Sequence, residues 1–205
     1  MKKAWFFMAP LVLGLLALEG CRKKEAPPSP PPGQKVAMII TSQNFRDEEL
    51  LKPKEILEKA GLKVFVVSTT RSEVRGMLGA KVTPDLLLSE LSAEDYAAIV
   101  FVGGVGASQY WDDPLAHEIC RKALEKGKVL GAICIAPVTL ARAGVLSGKK
   151  ATVFPTEAEK LREKGAIYTG AKVEKDGRII TASGPEAAKD FAKALIEALA
   201  LQSPQ

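Results

Sequence analysis

The sequence is short of metal ligands: it holds one histidine, His117, and three cysteines, Cys21, Cys120 and Cys134, in 205 residues. Zinc sites draw on closely spaced His and Cys, so no metal site is expected, and no cofactor. Aromatic residues make up only 6%. There is no arginine-rich arm and no basic run interleaved with aromatics, and the formal charge of +5 is spread along the chain. A nucleic-acid partner is therefore not expected. No unit repeats at a long period. The N-terminal apolar run, Ala4 to Leu18, has 15 residues, short of the ~20 that cross a bilayer as a helix. What remains is ordinary for a globular protein. Apolar residues make up 47% and charged residues 26%, and the length suits one domain with a proper core.

The N-terminus reads as an export signal. Met1-Lys2-Lys3 is basic and Ala4 to Leu18 is apolar, as in a secretory leader. The run closes on Leu18-Glu19-Gly20-Cys21, which resembles a bacterial lipobox except that Glu19 stands where a small or apolar residue is usual. The reading is a lipoprotein signal peptide over 1–21, with Cys21 lipidated and the protein exported and held to a bacterial membrane. A proline-rich stretch over 22–34 follows, unable to bury apolar area and suited to a semi-rigid tether. The folded domain is assigned to 35–201 and a short tail to 202–205.

From Lys35 on, apolar strands alternate with helices. Strands are expected at Val36–Ile40, Val64–Val67, Ala97–Val102, Val129–Ile133 and Ala151–Val153. Helices are expected at Asp47–Ala60, Pro114–Lys126, Val138–Ala143, Glu157–Lys164 and Ala187–Leu201. An irregular region, Arg71 to Leu88, has room for a hairpin around Gly76 to Val82. A second hairpin turns at Asp176-Gly177, between Val173–Lys175 and Arg178–Thr181. Such alternation argues for an α/β fold with a mainly parallel sheet covered on both faces.

In such sheets ligands bind beyond the carboxyl ends of the strands. One edge therefore gathers Arg46, Asp47, Glu48 and Glu49, the Gly103-Gly104 turn, Cys134, and Ser183-Gly184-Pro185. Cys134 ends a buried strand, and Pro137 opens a helix three residues later, the position a helix tolerates proline best. This is the pattern of a nucleophile elbow. Backbone amides and the positive end of the helix are expected to lower the thiol pKa there. The plainer reading is a small apolar residue closing a core strand. Likewise Gly103-Gly104 is either an oxyanion-binding turn or a plain tight one. Glu48 and Glu49 are either site acids or acids complementing a helix dipole. Tyr110 and Trp111 either line the pocket or cap the core. His117 reads as a partly packed helix residue. Cys120 reads as core filler, with a disulfide to Cys134 left open.

Phe45-Arg46-Asp47-Glu48-Glu49, Gly103-Gly104, Ala132-Ile133-Cys134, Ala141-x-Ala143-Gly144-Val145-Leu146 and Ser183-Gly184-Pro185 together resemble the ThiJ/PfpI superfamily, over about Lys35 to Leu199. The resemblance implies a flavodoxin-like three-layer sandwich, of the kind glutamine amidotransferases also use, and a homodimer or higher homo-oligomer. It implies that Cys134 is the reactive cysteine and that Glu49 is a protonated acid bonded to its thiol. It places Gly103, Gly104 and Ile135 as backbone donors around the sulfur, and Ser183, Gly184 and Pro185 as the loop packed beside it.

Two positions depart from the pattern. Ile135 replaces the His that follows the cysteine in the protease-like branch, and Arg46 replaces the first acid. A protease is disfavoured without a base for its nucleophile. A glutamine amidotransferase is disfavoured because no His follows Cys134. Two readings remain. One is a cysteine-dependent enzyme acting on small carbonyl compounds, of glyoxalase or deglycase type, with an aldehyde as partner. The other is a non-catalytic oxidation sensor or stress-response binding module.

Overall fold

The structure is a computed structural model that describes Met1 and residues 30–201. The leader with Cys21, most of the proline-rich stretch and the tail 202–205 lie outside the described residues. The last part of that stretch rests on the domain: Pro30 is buried, and the Gly33 N–H donates to the Gly61 carbonyl at 2.9 Å. Among the described residues no helix is long and apolar enough to cross a membrane.

The chain runs β1 (Lys35–Ile39), α1 (Asp47–Lys59), β2 (Lys63–Ser68), β3 (Val74–Arg75), β4 (Lys81–Val82), β5 (Leu86–Leu87), β6 (Ala98–Phe101) and α2 (Pro114–Glu125). It continues through β7 (Val129–Ile133), α3 (Pro137–Arg142), β8 (Lys150–Ala151), α4 (Ala158–Glu163), β9 (Ile167–Tyr168), β10 (Val173–Asp176), β11 (Ile179–Ala182) and α5 (Ala188–Ala200). The main sheet has the order β10-β11-β7-β6-β1-β2-β5. All pairs in it are parallel except β10 with β11. Its inner strands, β2-β1-β6-β7-β11, carry the flavodoxin-like order.

The apolar runs are continuous because both faces are covered. In β1, Val36 and Met38 face the layer of α1 and α5, packing near Leu50, Leu57 and Phe191. Ala37 and Ile39 face the layer of α2 and α3, near Ile119, Ala123 and Leu140. Gly131 in β7 lets α5 sit close: a Cβ there would come within 3.1 Å of Leu195 and Phe191.

Several details differ from the sequence reading. The irregular region contributes β5, two residues that extend the sheet beside β2. The strand expected at Ala151–Val153 is β8, one residue earlier, and it pairs with β9, which the sequence did not signal. Both strands are two residues long, too short for a periodicity to show. The hairpin around Gly76 forms as β3 and β4, and Asp176-Gly177 turns β10 into β11.

The chain leaves β1 to one side, toward β2, and later returns to the other side as β6. The crevice between the carboxyl ends of β1 and β6 is a topological switch point, where such sheets bind ligands.

Candidate active site

At that crevice two loops interlock. The Arg46 N–H donates to the Gly103 carbonyl at 2.9 Å. Gly104 has φ +103°, and a Cβ on it would lie 2.4 Å from the Arg46 nitrogen. A Cβ on Gly103 would lie 2.4 Å from Glu49 Oε2 and 2.5 Å from Cys134 Cβ. The carboxyl of Glu49 and the side chain of Cys134 therefore meet where a side chain on Gly103 would stand.

Cys134 sits on a sharp turn between β7 and α3, with φ +63°. Such a value is strained for a residue with a side chain and costs on the order of 1–3 kcal/mol. The turn is held from both flanks. The Cys134 N–H donates to Ala182 at the end of β11, and its carbonyl accepts from the Phe154 N–H at 2.8 Å. The elbow read from the sequence is thus present, with Pro137 at the start of α3.

Glu49 is completely buried, and neither carboxyl oxygen has a partner at full hydrogen-bond geometry. Burial pushes its pKa up to about 8, against the smaller lowering effects of the Cys134 thiol, the Arg46 charge and the Gly103 amide. Glu49 is therefore mostly protonated at neutral pH. Cys134 is half-buried. Burial first, and the neighbouring carboxyl second, push its thiol up to about 12, while the amides of Gly104 and Ile135 pull the other way.

These values correct two expectations. The thiol is raised rather than lowered. Helix α3 has six residues, too few for a full dipole, and the desolvated sulfur faces a carboxyl. The three backbone donors also divide: Gly104 and Ile135 approach the sulfur, whereas the Gly103 amide acts on Glu49.

A cavity of about 520 Å³ opens above the sulfur, and Arg46, Glu49, Gly104, Cys134, Ile135 and Pro185 are among its lining residues. Of the 183–185 loop, Pro185 reaches the cavity. Gly184 lies beneath Phe154, 3.3 Å from its ring to a notional Cβ. Ser183 does not line the cavity; its hydroxyl donates to the Lys172 carbonyl. Arg46 pairs with Glu48 at 2.7 Å at the rim. Trp111 lines the cavity, while Tyr110 is core, its hydroxyl donating to the Ile40 carbonyl at 2.8 Å.

The other nucleophilic or ligating groups stand apart. Cys120 is fully buried, its thiol raised by burial, and both it and Cys134 are free thiols. His117 bonds the Trp111 carbonyl through Nε2 at 2.8 Å. Among the described residues no three His, Cys, Asp or Glu side chains stand together as a metal site.

Six cavity residues, Met77, Val105, Ser108, Phe154, Thr156 and Glu157, escaped the sequence reading of the site. Phe154 lies beyond the end of β8, a short strand outside the main sheet whose edge gathers the other site residues. Met77, in the turn between β3 and β4, carried no signal.

Known proteins share this architecture. The chain is 47% identical over 168 residues to an uncharacterised Methanocaldococcus jannaschii protein, covering 80% of this chain and 82% of that one. It is 29% identical over 167 residues to a glutathione-independent glyoxalase of Caenorhabditis elegans, covering 81% and 89%. The crystal structure of a ThiJ/PfpI domain protein from Brachyspira murdochii superposes with a TM-score of 0.82 at 34% identity, covering 84% of this chain and all of that one. Residues 34–198 match the DJ-1/PfpI family, and with these likenesses in fold and sequence the chain belongs to that family.

Proposed function

We propose that the protein is a cysteine-dependent enzyme of glyoxalase type, converting an α-oxoaldehyde and water to a 2-hydroxy acid. The observation that carries this reading is the pairing of a free thiol with a buried, protonated carboxyl on the floor of an open cavity. A likeness to a glyoxalase supports it.

The chemistry uses the chain's own groups. Once the Glu49–Cys134 pair has given up one proton, the sulfur attacks the aldehyde carbon. The C=O pair becomes an alkoxide that faces the Gly104 and Ile135 amides, and then takes a proton from Glu49. The product is a hemithioacetal. Glu49, now a carboxylate, accepts the proton on C1 and returns it to C2 while the C1 hydroxyl proton passes to the C2 oxygen, which turns the hemithioacetal into a thioester. Water then cleaves the C–S bond, releasing the 2-hydroxy acid and restoring the thiol. No redox partner is consumed. A buried carboxyl with a pKa near the working pH suits such a proton shuttle.

The alternative, an oxidation sensor, calls for an exposed and readily ionised thiol. The raised thiol counts equally against both readings; the open cavity over the sulfur favours a substrate. The family's protease chemistry has no base here, because Ile135 follows the cysteine and His117 is engaged by Trp111.

We further propose that Cys21 is lipidated and tethers the exported domain to a membrane, on the strength of Leu18-Glu19-Gly20-Cys21 and the prolines behind it. The enzymatic reading is tested by giving methylglyoxal to the purified protein and following lactate. Turnover that disappears in Cys134→Ser supports it; turnover no greater than that of Cys134→Ser contradicts it.

A further inference from the structure

We infer that the cavity over Cys134 selects carbonyl substrates bearing an aromatic or extended apolar substituent, and that Trp111 and Phe154 are the side chains that set this preference. The inference rests on the glyoxalase-type reading and names its substrate class.

Size is the first argument. The cavity measures about 520 Å³, within the range that holds drug-sized ligands. Methylglyoxal has the bulk of only a few waters, at about 30 Å³ each in the liquid. It would leave most of this space to solvent.

The lining is the second argument. Met77, Val105, Trp111, Ile135, Phe154 and Pro185 give the cavity most of its lining, beside the polar Arg46, Ser108, Thr156 and Glu157. Three of them stay open to water in the free protein: Val105 is 62% exposed, and Met77 and Phe154 39% each. Covering such surface with an apolar ligand is favourable by roughly 25 cal/mol per Å². The reacting groups, Cys134 and Glu49, lie together at the floor. A carbonyl at the sulfur thus leaves its substituent against the apolar walls.

Rigidity is the third argument. Both aromatic walls are wired to the elbow. The Trp111 indole N–H donates to the Ile135 carbonyl at 3.2 Å, and the Trp111 carbonyl is held by His117. The Arg142 guanidinium and the Lys160 ammonium stand 5.3 and 5.2 Å from the Trp111 ring centre. The Phe154 N–H donates to the carbonyl of Cys134 itself. A slot fixed in this way loses little freedom when a flat ring enters it. The indole bond makes Trp111 a positioning residue for the turn that aims the thiol, whereas the Phe154 bond is main-chain and persists when its side chain is replaced.

The experiment compares kcat/KM for phenylglyoxal, read as mandelate, with that for methylglyoxal, read as lactate, in the full chain. The expected result is a preference for phenylglyoxal on the order of tenfold or more. That ratio falls in Trp111→Leu and in Phe154→Ala, the latter a half-exposed side chain whose loss leaves the core intact. In parallel, calorimetric titration of Cys134→Ser with 1-phenyl-1,2-propanedione and 2,3-butanedione reads binding without turnover. Methylglyoxal turned over as well as phenylglyoxal, with no difference in the titrations, overturns the inference and leaves the enzymatic reading standing. A titration preference without turnover of either aldehyde supports the apolar slot and overturns the enzymatic reading. Aromatic ligand that fails to bind because a second copy covers the cavity also overturns it.

Discussion

A buried carboxyl short of well-formed hydrogen bonds is costly when ionised, and Glu49 carries that cost at the centre of the site. Its pKa rises from the ordinary 4.5 to about 8 in the folded chain, so the folded state binds this proton more tightly than the unfolded state. The stability linked to it is complete below about pH 4.5, declines as pH rises, and is lost once pH passes about 8. Glu49→Gln removes the ionisation. Urea unfolding at pH 5 and pH 9 should show the wild type losing roughly 4 kcal/mol more than the variant between the two. At the same scale, Gly103 is the one position between acid and thiol with room for nothing else. Gly103→Ala puts a methyl within 2.8 Å of Glu49, Cys134 and the Ile133 carbonyl. The expected outcome is a folded protein with kcat/KM lower on the order of 100-fold, as when an oxyanion donor is lost. Intact far-UV circular dichroism with wild-type turnover would contradict it.

At the scale of elements, the pocket depends on the small hairpin of β3 and β4, which the sequence placed around Gly76 without tying it to the site. The buried carboxylate of Asp47, in the first turn of α1, accepts from the Leu78 N–H at 2.8 Å and the Ala80 N–H at 2.7 Å. That pins the turn bearing Met77 over the cavity. Asp47→Ala leaves two amides without an acceptor and should cost roughly 1–3 kcal/mol. Hydrogen exchange should locate the loss in the amides of 78 and 80, with a higher KM for the carbonyl substrate. The sequence revealed the elements with long apolar runs or clear caps, such as β1, β7, α2 with Pro114, and α5. It did not reveal β5 or β9, where two residues carry no period and only the neighbouring strand decides. The elbow was legible because a buried run, a cysteine and a proline stand in a fixed order. The thiol's environment was not. Burial of the sulfur and the approach of Glu49 across Gly103 are three-dimensional facts, and they reverse the pKa shift that the local helix suggested.

At the scale of the whole molecule, the strand order explains why distant stretches share one site. Residues 44–49, 103–104 and 134–135 come together because β1, β6 and β7 are parallel neighbours ending at one edge. This much follows from alternating strands and helices, since parallel strands place their carboxyl ends together. The cavity walls Phe154 and Met77 come from short connections on either side of it, whose paths no local pattern dictates. The proposed tether also belongs to this scale. In a bacterial host that processes lipoproteins, the native chain should enter the detergent phase on Triton X-114 separation. Cys21→Ser should remain in the aqueous phase; equal partition of the two would contradict lipidation at Cys21.

The central claim is that the Glu49–Cys134 pair acts as a unit and must lose one proton before the sulfur attacks a carbonyl. The direct measurement is kcat/KM for 2-hydroxy acid formation between pH 5 and pH 10, in the wild type and in Glu49→Gln. The account predicts a wild-type rate that climbs about tenfold per pH unit and levels near pH 8, with the variant slow throughout. A wild-type profile that is flat across this range, or a Glu49→Gln rate equal to the wild type, would contradict it.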